Sequence, residues 1–586
     1  MQPAGGELIR QIRRQYNLTQ TELGGDRFSK SYVSAVERNK IVPSPQALQY
    51  FSEQLGKPRD YFANLFQQPE SMKQLAMLAP VTLENGERRV TGHEELTILD
   101  ILLGDTDVNS VVGRQQLRTL PPQVVAALPP ARQARYHFLL GREAQADGDL
   151  PEALQAFERA LALAPVEMQV PVLNELGQNY ALAHNYQTAL AYHLRAHQLW
   201  NQLKERPGDT ANTQGFQAEF NCGKDYQVLG MYREACEHYE QARRYLSTEH
   251  DMKTAAALYY GLGYCTYGAI DQTLNAPDGS DVTVEKVEHE YQRASSFLMQ
   301  SRTLSQVGGD RSGEAQARLL QARVLLDFCE RRRRLSRKAE KQKSFLLTNC
   351  SALLTEAEEQ CRQALFIGVE EAEQATPAAP RLVDTIIYSA CAYLVRVFVQ
   401  HAAIARQSGY RDTALRELMG ATYICNELIN SLARTELPLE LARRIGVLNL
   451  HVVQQGASTT ALTKTLEENV DKQHSPLSIV EICLAAAETA GELGHSAGKE
   501  KQTAEWYECA DRWLESGLAR VRAVVQCGEY DCGYLARSYQ RGLALLDERI
   551  AVDPEAAEQT TRTQMHLLKK AVRELARPII YADVSY

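Results

Sequence analysis

Along residues 1–66 the apolar positions recur at helical spacing and stop where turns belong. Leu8 and Ile12 begin the pattern, Leu23 follows, then Val33 with Val36, then Leu48, Phe51 and Leu55. This predicts four or five short helices around one small core. Thr19 is placed to N-cap a helix, and Glu22, three residues on, completes a capping box. Gly24, Gly25 and Asp26 end that helix as a turn. Ser29 caps the next helix, whose Val33 and Val36 face inward while Lys30, Ser31, Tyr32 and Ser34 stay outside near its N-terminal end. A short helix, a turn and a second helix with polar and basic exposed residues make a helix-turn-helix. Such a unit lays its second helix in the major groove of DNA.

Residues 67–130 are less regular. Leu96–Leu103 and Val111–Leu120 each predict a short helix, and Pro121-Pro122 with Pro129-Pro130 bracket a third. Proline disfavours helix at the residue before it, so this stretch reads as a helical linker of short elements. Its Leu96, Ile98, Leu99, Ile101, Leu102 and Leu103 exceed what a free linker needs. They predict packing on the head or on a partner subunit.

From 131 to 586 the pattern repeats. Residues 134–165 set Leu140-Gly141, Gly148, Ala153, Phe157, Ala160 and Pro165 at the spacing of a tetratricopeptide repeat. Small residues let paired helices approach, Phe157 fills the space between them, and Pro165 ends the second helix. A second copy has Leu176-Gly177, Tyr180, Tyr186, Ala189 and Ala196. A third has Gly223, Tyr226, Gly230, Tyr232, Ala235, Tyr239 and Ala242. The copies then degrade while the helix-pair rhythm persists. A fourth starts at Tyr260, is interrupted at 275–281 and resumes with Tyr291 and Ala294; a fifth spans Ala315 to Ala364. A sixth surrounds Tyr410, Ala414 and Ala421, a seventh Gly491, Tyr507 and Ala510, and last helices run over 530–550 and 556–576. The fold class is all-α: a helix-turn-helix domain followed by an α-solenoid whose pairs bury their faces against neighbours and leave a concave groove.

The repeat phase puts Arg142, Asn174, Gln178, Asn221, Lys224, Tyr260, Tyr264 and Tyr267 on the inward side. Asn and Gln can pair with the backbone of an extended peptide. Arg142 and Lys224 suit a carboxylate. Tyr260, Tyr264 and Tyr267 make one aromatic stripe, for which inter-repeat core is the better reading and a ligand shelf the other.

The head, IRQIRRQYNLTQTEL with FSKSYVSAVERNKIVPSPQALQYFSEQLGKPRDYF, resembles the phage-repressor (XRE/Cro) helix-turn-helix family. The resemblance implies that Gln20 touches a phosphate, that Lys30 and Ser31 read base edges, and that Tyr32 and Ser34 meet backbone or base. It places Arg38 and Lys40 on phosphates and makes Arg13 with Glu37 an internal ion pair. Gly24 stands where the family usually has alanine, and Ala35 offers only a methyl group, suited to thymine. With its repeats, the whole chain resembles the RRNPP peptide-pheromone regulators of Gram-positive bacteria, although 131–586 is longer than is usual there. That implies a quorum-sensing transcription regulator, a homodimer on double-stranded DNA, with a peptide or protein ligand in the groove.

Composition adds bounds. The net charge is −9, but residues 1–66 hold nine Lys/Arg against six Asp/Glu, so a basic head joins an acidic body. Twelve cysteines from Cys222 to Cys532 include no CxxC pair. They read as reduced core residues in a cytoplasmic protein with no metal and no cofactor. No run of eighteen apolar residues predicts a membrane span, and MQPAGGELIRQIRR lacks the apolar core of a signal peptide. The run Arg331 to Arg334, Arg337, Lys338, Lys341 and Lys343 reads as a solvated extension of the fifth repeat, with a non-specific DNA contact as the alternative. No phosphate loop or HExxH motif occurs, and no nucleophile stands with an arranged base, so no enzyme is expected. The alternative to a regulator is an interaction scaffold whose head docks protein or holds DNA weakly.

Overall fold

The computed structural model describes residues 9–10, 13–14, 18–55 apart from 26, 39 and 42, then 125–126, 128–203, 211–246, 251–274, 284–338, 343–374, 380–434, 439–447, 461–463, 475–497, 500–526, 532–552 and 568. Among them there are nineteen helices and no strand. Leu8, Ile12, the linker helices at 96–103 and 111–120, the interruption at 275–281 and most of the final helix at 556–576 lie outside the described residues. The chain divides into two compact units, Met1–Asn179 and Tyr180–Tyr586.

In the first unit the head holds α1 (Gln20–Gly24), α2 (Lys30–Glu37) and α3 (Pro45–Gln54). Ile9, Leu23, Val33, Val36, Ala47, Leu48, Phe51 and Leu55 close its core. The capping box forms as expected: Thr19 N–H donates to Glu22 Oε2 at 2.6 Å and Glu22 N–H to Thr19 Oγ1 at 3.2 Å. Ser29 Oγ accepts Tyr32 N–H at 3.2 Å and caps α2. Gly25 ends α1 at φ +53°, where a Cβ would collide with the Tyr50 hydroxyl. The first repeat follows as α4 (Pro130–Ala146) on α5 (Leu150–Leu163), and α6 (Val166–Leu182) carries the division between the units. A Cβ at Gly141 would lie 2.5 Å from the Phe157 ring, so the close approach of α4 and α5 requires glycine there.

The second unit continues through α7 (Tyr186–Leu203), α8 (Ala211–Val228), α9 (Tyr232–Tyr245), α10 (Met252–Leu274), α11 (Val284–Val307), α12 (Arg311–Lys338) and α13 (Lys343–Gln374). It ends with α14 (Pro380–Gln407), α15 (Arg411–Arg434), α16 (Leu439–Val447), α17 (Pro476–Ser496), α18 (Glu500–Gln526) and α19 (Cys532–Val552). Consecutive helices pair, α8 with α9, α10 with α11, α12 with α13, α14 with α15 and α17 with α18. One turn recurs: an N–H reaches back five residues over a residue of positive φ. Asp149 to Ala144 O, Asn185 to Tyr180 O, Met231 to Tyr226 O, Asp310 to Ser305 O and Tyr410 to Ala405 O all do this, the 6→1 closure of a helix C-terminus. Glycine supplies the positive φ at 148, 230, 309 and 409; at the second turn His184 does so, at φ +59°.

Three expectations need correction or completion. The basic run is not a solvated extension where it is described: Arg333 is buried and pairs with Glu548, Arg332 pairs with Glu288, and Arg331 lies over the Tyr291 ring. A guanidinium on a long apolar stem packs readily into such places, and the run gave no hint of partners so far along the chain. One helix, Leu382–Gln407, is long and apolar enough to cross a membrane, with mean hydropathy 1.7, but 89% of that window is buried in the protein, where Arg396 bridges Asp327 at 2.6 Å and Glu330 at 2.9 Å. Finally, repeats do not bury their faces against neighbours alone, because α19 returns to helices hundreds of residues earlier.

Candidate nucleic-acid interface and repeat faces

The head is tied by one buried knot. Arg13 Nε and Nη2 donate to the two carboxylate oxygens of Glu37 at 2.5 and 3.0 Å, and Arg13 Nη1 donates to Leu18 O at 2.6 Å. Gln20 Nε2 adds a bond to Glu37 Oε2 at 2.7 Å. Glu37 is fully buried and Arg13 nearly so. Thus Arg13, seven residues before α1, and Gln20, the first residue of α1, meet on the carboxylate of Glu37, the last residue of α2, which fixes the angle of the two helices. A bidentate arginine pair suits that task because its geometry is planar and directional.

With that angle fixed, Lys30 and Ser31 are exposed at the first two positions of α2, and Arg38 and Lys40 are exposed beyond its end. Ser34 and Ala35 are half-buried. Tyr32 is half-buried too, its ring stacked on Phe28 at 5.1 Å, and it joins the edge of the head core. Gln20 opens α1, and its amide nitrogen donates to Glu37 rather than standing free. Arg27, which the sequence reading passed over, is exposed in the turn before α2 and lies 5.4 Å over the Tyr50 ring. A cationic, hydroxyl-bearing helix end with flanking arginines can meet base edges and phosphates at once.

The residues placed on the inward side of the repeats divide by unit. In the first, Arg142 is exposed with Nε 3.8 Å from Glu175, Asn174 is buried, and Gln178 is exposed one turn on. In the second, Asn221 is half-buried and Lys224 is exposed, its ammonium 5.7 Å over the Phe220 ring. Tyr260 and Tyr264 stack at 6.4 Å, while Tyr267 is fully buried and donates its hydroxyl to Asp327. The stripe is therefore mostly packed, and Arg537 of α19 lies over the Tyr264 and Tyr267 rings.

Among the described residues two groups bring metal-ligand atoms together, His197 with Glu219 and His238, and Glu492 with His495 and Glu548. In the first, His197 Nδ1 lies 3.0 Å from Glu219 Oε1 and His238 Nδ1 lies 2.7 Å from Oε2. Burial on its own raises the Glu219 carboxyl, but the two histidines outweigh it and hold it down at about 2. In the second, Arg406 holds both carboxylates, Glu492 at 2.5 Å and Glu548 at 3.2 Å. The carboxylates of both groups are thus held in ion pairs, and His495 Nδ1 lies 2.7 Å from the Tyr507 hydroxyl. Ten described cysteines are free thiols, nine of them buried, as core packing requires.

The fold and the exposed face define the class: an N-terminal helix-turn-helix of the XRE type joined to tetratricopeptide repeats. The Helix-turn-helix family matches residues 9–62 and the Tetratricopeptide repeat family matches residues 134–165. No curated protein matches the chain. Among solved structures the chain is similar to Bacillus thuringiensis PlcR in complex with the peptide PapR7 and DNA, at 16% identity and a TM-score of 0.23, over 52% of this chain and 98% of that one. It is also similar to a Rap protein complexed with Competence and Sporulation Factor, at 12% identity and a TM-score of 0.27, over 75% and 97% of the two chains. The apo form of RapI matches at 12% identity and a TM-score of 0.27, over 53% and 98%.

Proposed function

We propose that this chain is a sequence-specific DNA-binding transcription regulator, acting as a homodimer in the cytoplasm, whose repeat array senses a peptide or protein ligand. The observation that carries the DNA reading is the end of α2: Lys30 and Ser31 exposed on a helix whose angle is set by the buried Arg13–Glu37–Gln20 knot. An interaction scaffold has no need of a rigid cationic helix end at that place. Dimerisation supplies the two half-sites, about one helical turn apart, that such heads read on DNA. The ligand class follows from the resemblance to peptide-pheromone regulators and from the helix-pair architecture, which offers repeated faces to an extended or helical peptide. Replacing Lys30→Ala and Ser31→Ala together removes specific binding and leaves the repeats folded. Binding of one DNA sequence over bulk DNA, compared between wild type and this variant, tests the reading; specific binding retained by the variant contradicts it.

A further inference from the structure

We propose that Tyr232, Tyr264 and Tyr267 with Glu481 and Glu488 form a receptor site for a helical peptide bearing two arginines one turn apart, a site that the chain's own α19 fills until such a peptide displaces it. This deepens the peptide-sensing reading and rests on it.

The arginine cage is built. The Arg537 guanidinium lies 5.7 Å from the Tyr232 ring, 5.0 Å from the Tyr264 ring and 5.4 Å from the Tyr267 ring. It also donates to the Tyr232 hydroxyl at 3.3 Å and the Tyr264 hydroxyl at 2.5 Å. Three aromatic faces around one cation is the arrangement by which proteins recognise cationic ligands. One turn on, Arg541 donates from Nε to Glu488 at 2.9 Å and from Nη1 to Glu481 at 2.5 Å. The flat fork of a guanidinium satisfies both places, and an ammonium does not.

The seat also shows signs of an exchangeable occupant. Polar, directional contacts join α19 to α9 and α10, from residues 273 and 305 positions earlier. Its apolar residues, Tyr539 and Leu546, belong to the core shared with α17 and α18. The fit at the polar side is incomplete: Arg541 Nη2 and Glu488 Oε2 are buried without a hydrogen-bond partner. Beside them lies a cavity of about 40 Å³, lined by Arg333, Glu492 and Glu548 among others. A peptide that completes those bonds competes with a tethered helix whose own bonds are unfinished.

The probe is a fluorescein-labelled synthetic peptide of residues 532–552, titrated with full-length protein and followed by anisotropy. The Arg537→Ala/Arg541→Ala protein, its own helix loosened, is expected to bind the peptide at least tenfold more tightly than wild type. A peptide with lysine at both arginine positions loses at least tenfold, and one with alanine at both does not bind. In wild-type protein, unlabelled peptide at about millimolar concentration, the scale of a short tether's effective concentration, raises hydrogen exchange in α19 and leaves α9 protected. Equal binding of the alanine peptide overturns the proposal, as does no binding to a variant that still melts cooperatively. If the variant does not melt cooperatively, the exchange measurement on wild type decides, and unchanged α19 exchange overturns the site. Specific DNA binding is read separately, so a protein that selects DNA but fails here loses this site and keeps the regulator reading.

Discussion

The head and the α19 seat use the same chemistry over very different spans of chain. In the head, Arg13 and Glu37 are 24 residues apart, and the whole core lies between Ile9 and Leu55. At the seat, Arg537 meets Tyr232 across 305 residues and Arg333 meets Glu548 across 215. A short-range knot closes at little loop-entropy cost and needs no other part of the chain. The seat exists only once α9, α10, α17 and α19 have come together. The difference teaches that the head's knot is complete within its own short segment, whereas the seat is a property of the assembled array.

The sharpest way to break that comparison is at the knot. Glu37→Ala leaves the Arg13 guanidinium buried without its partner, which costs about 3–5 kcal/mol. Set against a small domain's stability, that unfolds the head. The expected result is loss of DNA binding with the main melting transition of the repeats unchanged. A smaller effect separates array packing from head packing. A Cβ at Gly223 would sit 2.7 Å from the Tyr239 ring, and one at Gly261 would sit 2.6 Å from the same ring, so that ring is held between two glycines. Gly223→Ala therefore destabilises the array by about 1–3 kcal/mol through overpacking, against about 1 kcal/mol gained in helix propensity. Denaturant melts read the difference, with DNA affinity at low denaturant unaltered.

The smallest effect is set by pH. The Glu219 carboxyl is held at about 2 in the folded chain, below its ordinary 4.5. A depressed carboxyl contributes stability that is complete above its unfolded value and is lost as pH falls towards its folded one. The melting temperatures of wild type and Glu219→Gln should thus converge as pH falls between about 4.5 and 2. A difference that persists unchanged to about pH 2 would show that Glu219 is not the group responsible.

How much of this was legible in the sequence follows from the same contrast in span. The capping box, the Ser29 cap and the inward Val33 and Val36 were readable because each partner lies within a turn or two at fixed spacing, and the Arg13–Glu37 pair through the resemblance of the head to its family. Gly141 and Phe157 were readable for a like reason: the repeat fixes which small residue faces which ring. His184 was not, since nothing in a scattered histidine announces that it will take the left-handed turn position glycine holds in four other turns. The role of Arg333 was hidden inside a run of like charge, which shows no partner until α19 folds back. The tyrosine stripe was visible as a stripe, but the cation it surrounds comes from the far end of the chain.

The central claim is that the head reads a DNA sequence, and selection of fragmented genomic DNA by the purified full-length protein tests it most directly. The account predicts one enriched motif with two-fold symmetry, lost when Lys30 and Ser31 are both replaced by alanine. No enrichment over bulk DNA, with cell extract present to supply any ligand, would contradict it and favour a scaffold.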